Sequence, residues 1–342
     1  MSTTDAPQLL AQERSSWQQQ LRDAIRDGAT LLASLGLSAE DGAWSQEAAR
    51  QFPVRVPLPF LRRMRYGDIN DPLLKQVLAV PEEDQAVPGW SNDPLAEVAA
   101  NPVPGLIHKY QGRVLLLPTS ACAVNCRYCF RRHFPYGDNQ LNNEALSKAI
   151  DYIAADSSLE EVILSGGDPL ILQDSALRKL LERLSAIPHL QRVRIHSRLP
   201  VVIPSRITND LLDALGQSRL RSVMVIHCNH PNELDDELAD ALNHLRQSGV
   251  PVLNQSVLLK GINDHTDVLV SLQQRLFDKA GVLPYYLHLP DKVAGTWHFD
   301  VDEERASTLM KAMRMRLPGF LVPRLAREVP GEGAKRVIAI NL

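Results

Sequence analysis

The sequence has no long apolar run, almost no net charge and few cysteines. No stretch of its 342 residues approaches the length needed to cross a bilayer as a helix, so a membrane role is not expected. Lys and Arg total 37 against 40 Asp and Glu, a net charge of −3. That balance leaves no broad electrostatic footprint for nucleic acid or an anionic membrane. Met1 to Gln20 is polar and lacks the basic-then-apolar layout of a secretion signal, which predicts a cytoplasmic chain. Only four cysteines are present, Cys122, Cys126, Cys129 and Cys228, too few in a chain of this length for a disulfide framework. What remains is ordinary for a globular protein: 44% hydrophobic and 23% charged residues, enough for a sizeable core in one large domain or two smaller ones.

The first hundred residues differ from the rest. Ser15 to Ala33 carries Trp17, Leu21, Ile25 and Leu32 on one face and predicts a helix. Pro53, Pro57, Pro59, Pro72, Pro81, Pro88, Pro94, Pro102 and Pro104 then break up any long element. Residues 1–100 therefore read as a helical and proline-rich region wrapping the main body. Its basic run Leu61-Arg62-Arg63-Met64-Arg65 reads as a solvated helix face. From Arg113 onward strands and helices alternate. The candidate strands are Val114–Leu117, Glu161–Leu164, Arg192–His196, Ser222–His227, Val252–Val257 and Val282–Leu287. The candidate helices are Asn143–Ala155, Asp174–Ala186, Asn209–Gly216, Glu233–Gln247 and Thr266–Lys279. Successive βαβ units imply a parallel sheet, either an open doubly wound sheet or a partial barrel. A helix over Asp302–Arg316 and a short strand over Arg336–Ile340 complete the pattern. We divide the chain into 1–100, a barrel over 101–300 and a C-terminal segment over 301–342. The polar motifs fall at the C-terminal ends of the strands, the edge on which parallel α/β folds build their active sites.

Cys122, Cys126 and Cys129 form C-x3-C-x2-C within eight positions. A cubane cluster normally takes four thiolates, so three leave one iron open for catalysis. A zinc site with Cys228 as fourth ligand is the competing reading. Cys228 also has a plain explanation as a buried apolar residue at a strand end.

This spacing, with Tyr128 before the third cysteine, resembles the radical S-adenosylmethionine superfamily. The resemblance implies a 4Fe–4S cluster on Cys122, Cys126 and Cys129, S-adenosylmethionine chelating the open iron, and a partial (β/α)6 TIM-type barrel. Ser165-Gly166-Gly167-Asp168 resembles the superfamily's glycine-rich strand-end motif that receives the methionine amino group. Glycines let backbone approach a ligand closely, and Asp168 can accept from an ammonium. A simple strand-to-helix turn is the alternative.

Pro330-Gly331-Glu332-Gly333-Ala334-Lys335 is a glycine-rich loop ending in lysine. It lacks the spacing of a nucleotide-binding loop. A lysine held there can bind a carbonyl cofactor, or simply be solvated on a surface turn. Together with the cysteines it resembles the lysine 2,3-aminomutase family, radical enzymes that also use pyridoxal phosphate. Matching stretches run from Pro104-Gly105-Leu106-Ile107-His108-Lys109-Tyr110 and Arg113–Leu117 through Ser165–Leu170, Ser197-Arg198 and His227-Cys228-Asn229-His230-Pro231 to Asn254–Leu259 and Pro284-Tyr285-Tyr286. The resemblance implies pyridoxal phosphate on Lys335. It places Lys109, Tyr110, Arg113 and Gln255 around the cofactors, and His227 and His230 near the adenosyl group. A satisfied polar group at a strand end is the plain alternative for each.

For substrate, the resemblance implies L-lysine converted to β-lysine. Arg131 can grip a carboxylate with both arms of its guanidinium, unless it is a solvated member of the Arg131-Arg132-His133 run. In the family two aspartates hold the distal ammonium. Here Asp291 is kept and the second position is Glu328, whose extra methylene shifts the lysine pose. Where the family has a run of glycines before the lysine, this chain has Gly331-Glu332-Gly333-Ala334. Clostridial-type members carry a cysteine-bearing C-terminal extension that binds zinc; seven residues follow Lys335 here and none is cysteine, so no structural zinc is expected. The short form resembles the bacterial branch that makes (R)-β-lysine for translation elongation factor P. That implies a downstream lysylation enzyme as partner, a flavodoxin- or ferredoxin-type electron donor, and allows a homo-oligomer. Competing readings are an aminomutase for glutamate or arginine, a radical methyltransferase or sulfur-insertion enzyme with Lys335 incidental, and a non-catalytic iron–sulfur electron carrier.

Overall fold

The structure is a computed structural model that describes residues 16–38, 44–139 and 141–340. Most of the Met1–Gln20 segment, and the first residue of the expected Ser15–Ala33 helix, lie outside the described residues.

Nine strands among the described residues form one sheet in sequence order: β1 (Leu106–Tyr110), β2 (Arg113–Leu116), β3 (Glu161–Leu164), β4 (Arg192–Ser197), β5 (Arg221–Ile226), β6 (Val252–Val257), β7 (Leu283–His288), β8 (Arg324–Arg327) and β9 (Arg336–Val337). Strands β2 to β8 pair in parallel, while β1 and β9 pair antiparallel at the two ends. No pairing joins β9 back to β1, so the sheet is a partial barrel of the TIM type. All six candidate strands are present within a residue or two. A seventh parallel strand, β8, and the hairpin strand β1 were not anticipated. β8 reads Arg324, Leu325, Ala326, Arg327, with neither an apolar alternation nor a β-branched residue to mark it.

The alternation of side chains fixes which face is which. Val114, Leu116, Val162, Leu164, Val193, Ile195, Met224 and Ile226 join one large core with Leu177, Leu181, Leu211, Leu215, Leu238 and Leu242 of the crossover helices. Each such side chain contributes roughly 1.5–3 kcal/mol by leaving water. The intervening positions face inward. Arg194 on β4 donates to Glu161 on β3 and, across the interior, to the Tyr285 hydroxyl on β7 at 2.8 Å. Glu161 opens β3, so these contacts lie toward the N-terminal ends of the strands, away from the edge that carries the motifs.

Helices lie at Asn143–Ala155, Asp174–Ser185, Asn209–Gly216, Asp236–Gln247, Thr266–Ala280 and Glu303–Arg316. Asn142, Thr208, Asp235 and Asp302 start four of them by accepting a backbone N–H three residues on. The expected helix from Glu233 begins instead at Asp236, because the carboxylate of Glu233 turns back to the backbone N–H groups of Asn229 and His230. The expected helix to Ala33 is two short helices, Trp17–Arg22 and Gly28–Ser34. Ile25 leaves the helical path to pair with Val56, and Asp27 caps the second helix. In the run Leu61–Arg65, Arg62 and Arg65 are exposed as expected, but the Arg63 side chain is 5% exposed and reaches Asp235 at 2.6 Å. No helix among the described residues is long and apolar enough to cross a membrane.

Candidate active site

The three clustered cysteines sit on one half-buried loop after β2. The N-terminal region holds this loop from outside. The backbone N–H of Arg127 donates to the Gln76 carbonyl, and the fully buried Arg127 side chain meets Glu83 through both Nε (2.9 Å) and Nη2 (2.5 Å). Arg132 adds a second contact to Glu83 at 2.8 Å and one to the Gly295 carbonyl. His133 contacts the Ala294 carbonyl, so the Arg131-Arg132-His133 run is anchored rather than solvated. Cys228 is fully buried, with its sulfur 3.6 Å from the His230 carbonyl.

The glycine motif lies directly against the segment that leads into Cys122. Gly167 donates to the Thr119 carbonyl and Asp168 to that of Ala121. A Cβ on Gly167 would stand 2.4 Å from the Ala121 carbonyl oxygen. Gly166 has φ +109°, a conformation that excludes other side chains in practice. Asp168 has a different role from the one expected. Its Oδ1 accepts from the Ser197 hydroxyl (2.7 Å) and the Leu170 N–H, and its Oδ2 from the N–H groups of Arg198 (2.8 Å) and Leu199 (2.9 Å). Four donors fill a carboxylate, so Asp168 ties the motif to the end of β4 and has no lone pair left for an ammonium.

From Ser165 a line of charges crosses to the C-terminal lysine. Arg131 donates to the Ser165 hydroxyl at 3.0 Å and grips Glu97 with Nε (2.7 Å) and Nη2 (2.9 Å). Lys109 lies 3.4 Å from Glu97 and 2.9 Å from Glu328, whose other oxygen accepts from Lys335 at 2.6 Å. Two lysines hold Glu328 down at about 2 against the desolvation that opposes them. Asp291 goes the other way: burial first, and then the charge of Glu328, push it up to about 7. Burial, and next the Glu328 carboxylate, raise the Tyr110 hydroxyl. Arg113 lies over the Tyr110 ring, 4.7 Å from its centroid.

Three histidines complete the interior. His196 on β4, His227 after β5 and His288 on β7 are each pushed down by burial, His227 to about 4, and each also feels the charge of Lys335. They are neutral at pH 7. The Nε2 atoms of His196 and His288 and Oε1 of Gln255 are buried without a protein partner. His230 does not join them. Its Nδ1 accepts from the Asn232 N–H, and its charged neighbours are Glu233, Asp71, Arg65 and Arg275 rather than Lys335.

The structure thus brings together Ser165, Arg131, Lys109, Tyr110, Asp291, Glu328 and Lys335. Sequence reasoning missed Glu97, which pairs with two of them from inside the proline-rich region. A single acid between Ala96 and Val98 carries no motif by which it could be found. The residues present suit the groups expected. Three thiols on one loop would provide one sulfur to each of three irons of such a cluster. Among the described residues no three His, Cys, Asp or Glu side chains are grouped to hold a single metal ion. Lys109, Arg113 and Lys335 would supply cations for a phosphate and an amine for a carbonyl. The unpartnered interior atoms of His196, His288 and Gln255 offer hydrogen bonds to a polar ligand.

A family model described as the radical SAM superfamily matches residues 116–272. Two L-lysine 2,3-aminomutases, from Haemophilus influenzae and Escherichia coli, are each 48% identical over 96% of this chain and 96% of their own. The L-lysine 2,3-aminomutase of Clostridium subterminale is 36% identical over 96% of this chain and 78% of its own. Superfamily membership carries with it a 4Fe–4S cluster and S-adenosylmethionine. On this barrel, this cysteine loop and this likeness along nearly its whole length, the chain belongs to the lysine 2,3-aminomutase family of radical S-adenosylmethionine isomerases.

Proposed function

We propose that the chain converts L-lysine to (R)-β-lysine, with Cys122, Cys126 and Cys129 holding the cluster and Lys335 holding pyridoxal phosphate. The observation that carries the reading is the acid pair Asp291 and Glu328 beside Lys335. Burial and the charge of Glu328 raise the proton affinity of Asp291, so a further cation beside the pair is favoured, and an amino acid with a distal ammonium brings one. The likeness to curated lysine 2,3-aminomutases supports the same substrate.

When bound, S-adenosylmethionine at the cluster supplies the carbon radical that removes a β-hydrogen, and pyridoxal phosphate supplies the carbonyl that carries the migrating nitrogen. The chain's own residues bind and orient. Ser165, Gly166 and Gly167 offer backbone and hydroxyl contacts to the methionine end of the first ligand, with Asp168 fixing their geometry. Lys109, Tyr110 and Arg113 surround the phosphate-bearing ligand, while His227 and Gln255 line the interior between the two. Arg131 receives the substrate carboxylate beside Ser165, sharing its fork with Glu97. Asp291 and Glu328 take the ammonium, and the longer arm of Glu328 shifts the lysine pose, which is our basis for the (R) product. The contacts among Arg194, Glu161 and Tyr285 help to keep water out from the far end of the strands. In this reading residues 301–342 form the segment that brings the cofactor lysine to the barrel, and residues 1–100 brace the cysteine loop. The enzyme works in the cytoplasm with a flavodoxin- or ferredoxin-type donor, and its product goes to the enzyme that modifies elongation factor P.

The test is anaerobic turnover. Reconstituted enzyme with reductant, S-adenosylmethionine, pyridoxal phosphate and L-lysine should give (R)-β-lysine on chiral separation, and L-glutamate should give no product. Turnover of L-glutamate at a comparable rate, or S-adenosylmethionine cleavage without any β-amino acid, would reject the reading.

A further inference from the structure

Arg198 follows β4 and turns toward the cysteine loop, where its Nη1 donates to the Cys126 sulfur at 2.7 Å. The residue is 6% exposed. Its other arm is fixed: Nη2 donates to Gln76 Oε1 at 2.6 Å and to Glu233 Oε2 at 3.1 Å. The flat guanidinium lies over the rings of Tyr128 and Phe60, 5.5 and 5.3 Å from their centroids. Its backbone is held by Asp168. Gln76 and Glu233 are themselves joined at 3.1 Å, and Asn229 donates both to Gln76 and to the Tyr128 hydroxyl. Separate parts of the chain therefore aim one N–H at one sulfur. A guanidinium that served only to neutralise Glu233 would need no such alignment toward Cys126.

We infer that Arg198 is a positioning residue for the cluster, which raises the reduction potential by donating a charge-assisted hydrogen bond to the Cys126 sulfur. The inference rests on the reading of Cys126 as a cluster ligand. Reduction adds negative charge that spreads onto the ligating sulfurs, and a cationic donor at one of them stabilises the reduced form more than the oxidised. Glu233 sits on the far arm of the guanidinium, so the nearer charge at the sulfur is the positive one. Gln76 extends this outer shell into the N-terminal region, outside the matched superfamily segment.

The test uses the full-length chain, reconstituted anaerobically, in three forms: wild type, R198K, and the double variant R198M/E233Q. The last removes both members of the buried pair, so no uncompensated charge remains inside. Iron per chain and visible absorbance are measured first, then the midpoint potential by spectroscopic redox titration without S-adenosylmethionine. At the wild-type midpoint the reduced-to-oxidised ratio should fall about tenfold in R198M/E233Q, a shift of about 59 mV for a one-electron couple. R198K, which keeps the charge but not the fork, should lie between. Wild-type midpoints in both variants with full iron would overturn the inference, as would failure of both variants to take up iron, which would assign Arg198 to assembly instead. The underlying reading fails separately, if Cys126→Ala keeps a full complement of iron.

Discussion

The ammonium of Lys335 lies 2.6 Å from Oε2 of Glu328, seven residues earlier in the same strand-to-strand connection. The side chain of Lys335 is 24% exposed, so this lysine is turned inward and is not solvated on a turn. Glu328 lies between two lysines, with Lys335 on one carboxylate oxygen and Lys109 on the other.

Lys335 is therefore the residue to which reduction should fix the cofactor. Borohydride treatment of the loaded chain should leave one pyridoxyl group per chain, and peptide mapping should find it on Lys335. Lys335→Ala should carry none, while keeping iron and visible absorbance. A label on Lys109, the neighbouring lysine on Glu328, would refute the assignment.

Cys122→Ala, Cys126→Ala and Cys129→Ala should each lose the brown chromophore and nearly all iron after anaerobic reconstitution. Cys228→Ala should keep both, since its sulfur is fully buried in packing against the end of β5. An iron loss in Cys228→Ala equal to that of the other three would favour a fourth protein ligand.

Asp291 has a proton affinity raised by folding, to about 7 from 3.8. The native chain keeps a proton that the unfolded chain releases above about pH 4, so this group lowers stability as the pH rises from about 4 to about 7. Asn mimics the neutral acid. Asp291→Asn should thus stabilise the cofactor-free chain more at pH 8 than at pH 5, by about 2 kcal/mol across that interval. Calorimetry at the two values measures it, and a difference independent of pH counts against the raised affinity. The same variant should lower kcat/KM for L-lysine about a hundredfold, because it removes one anion of the ammonium pocket. Iron and pyridoxal phosphate content should stay at wild-type levels.

Gly167→Ala tests the contact between the glycine motif and the cysteine loop. The new methyl group would press on the backbone of Ser120 and Ala121, which cannot swing aside as a side chain can. We expect the variant to lose at least half its iron after reconstitution. Gly333→Ala meets no atom within 4 Å and should behave as wild type in iron content and pyridoxal phosphate binding.

The parallel strands and their helices were legible because burial on both faces of a strand, and one apolar stripe per helix, leave a regular trace. In the candidate site, motifs in the sequence mark three cysteines, two glycines and a lysine in a glycine-rich loop. Glu97, Gln76 and Glu233 left no such trace. Each is a lone polar residue whose burial depends on a partner tens of residues away or more, as when Gln76 meets Arg198. The role of Asp168 was misjudged for a related reason: the residue type allowed ligand binding, but the four donors that occupy it come from the end of β4 and its own turn. Arg63 read as solvated because its partner Asp235 lies in another part of the chain.

The sheet stops short of closing, and the gap between its first and last strands is bridged by charge. Lys109, on β1, meets Glu328, just past β8, at 2.9 Å, where no backbone ladder joins the two ends. A seam made of side chains can part without breaking any strand pairing, and its two charges, 14% and 15% exposed, are largely sheltered from salt. Amide exchange along β1 and β9 should therefore run faster than along β3 to β6, at low and at high salt alike.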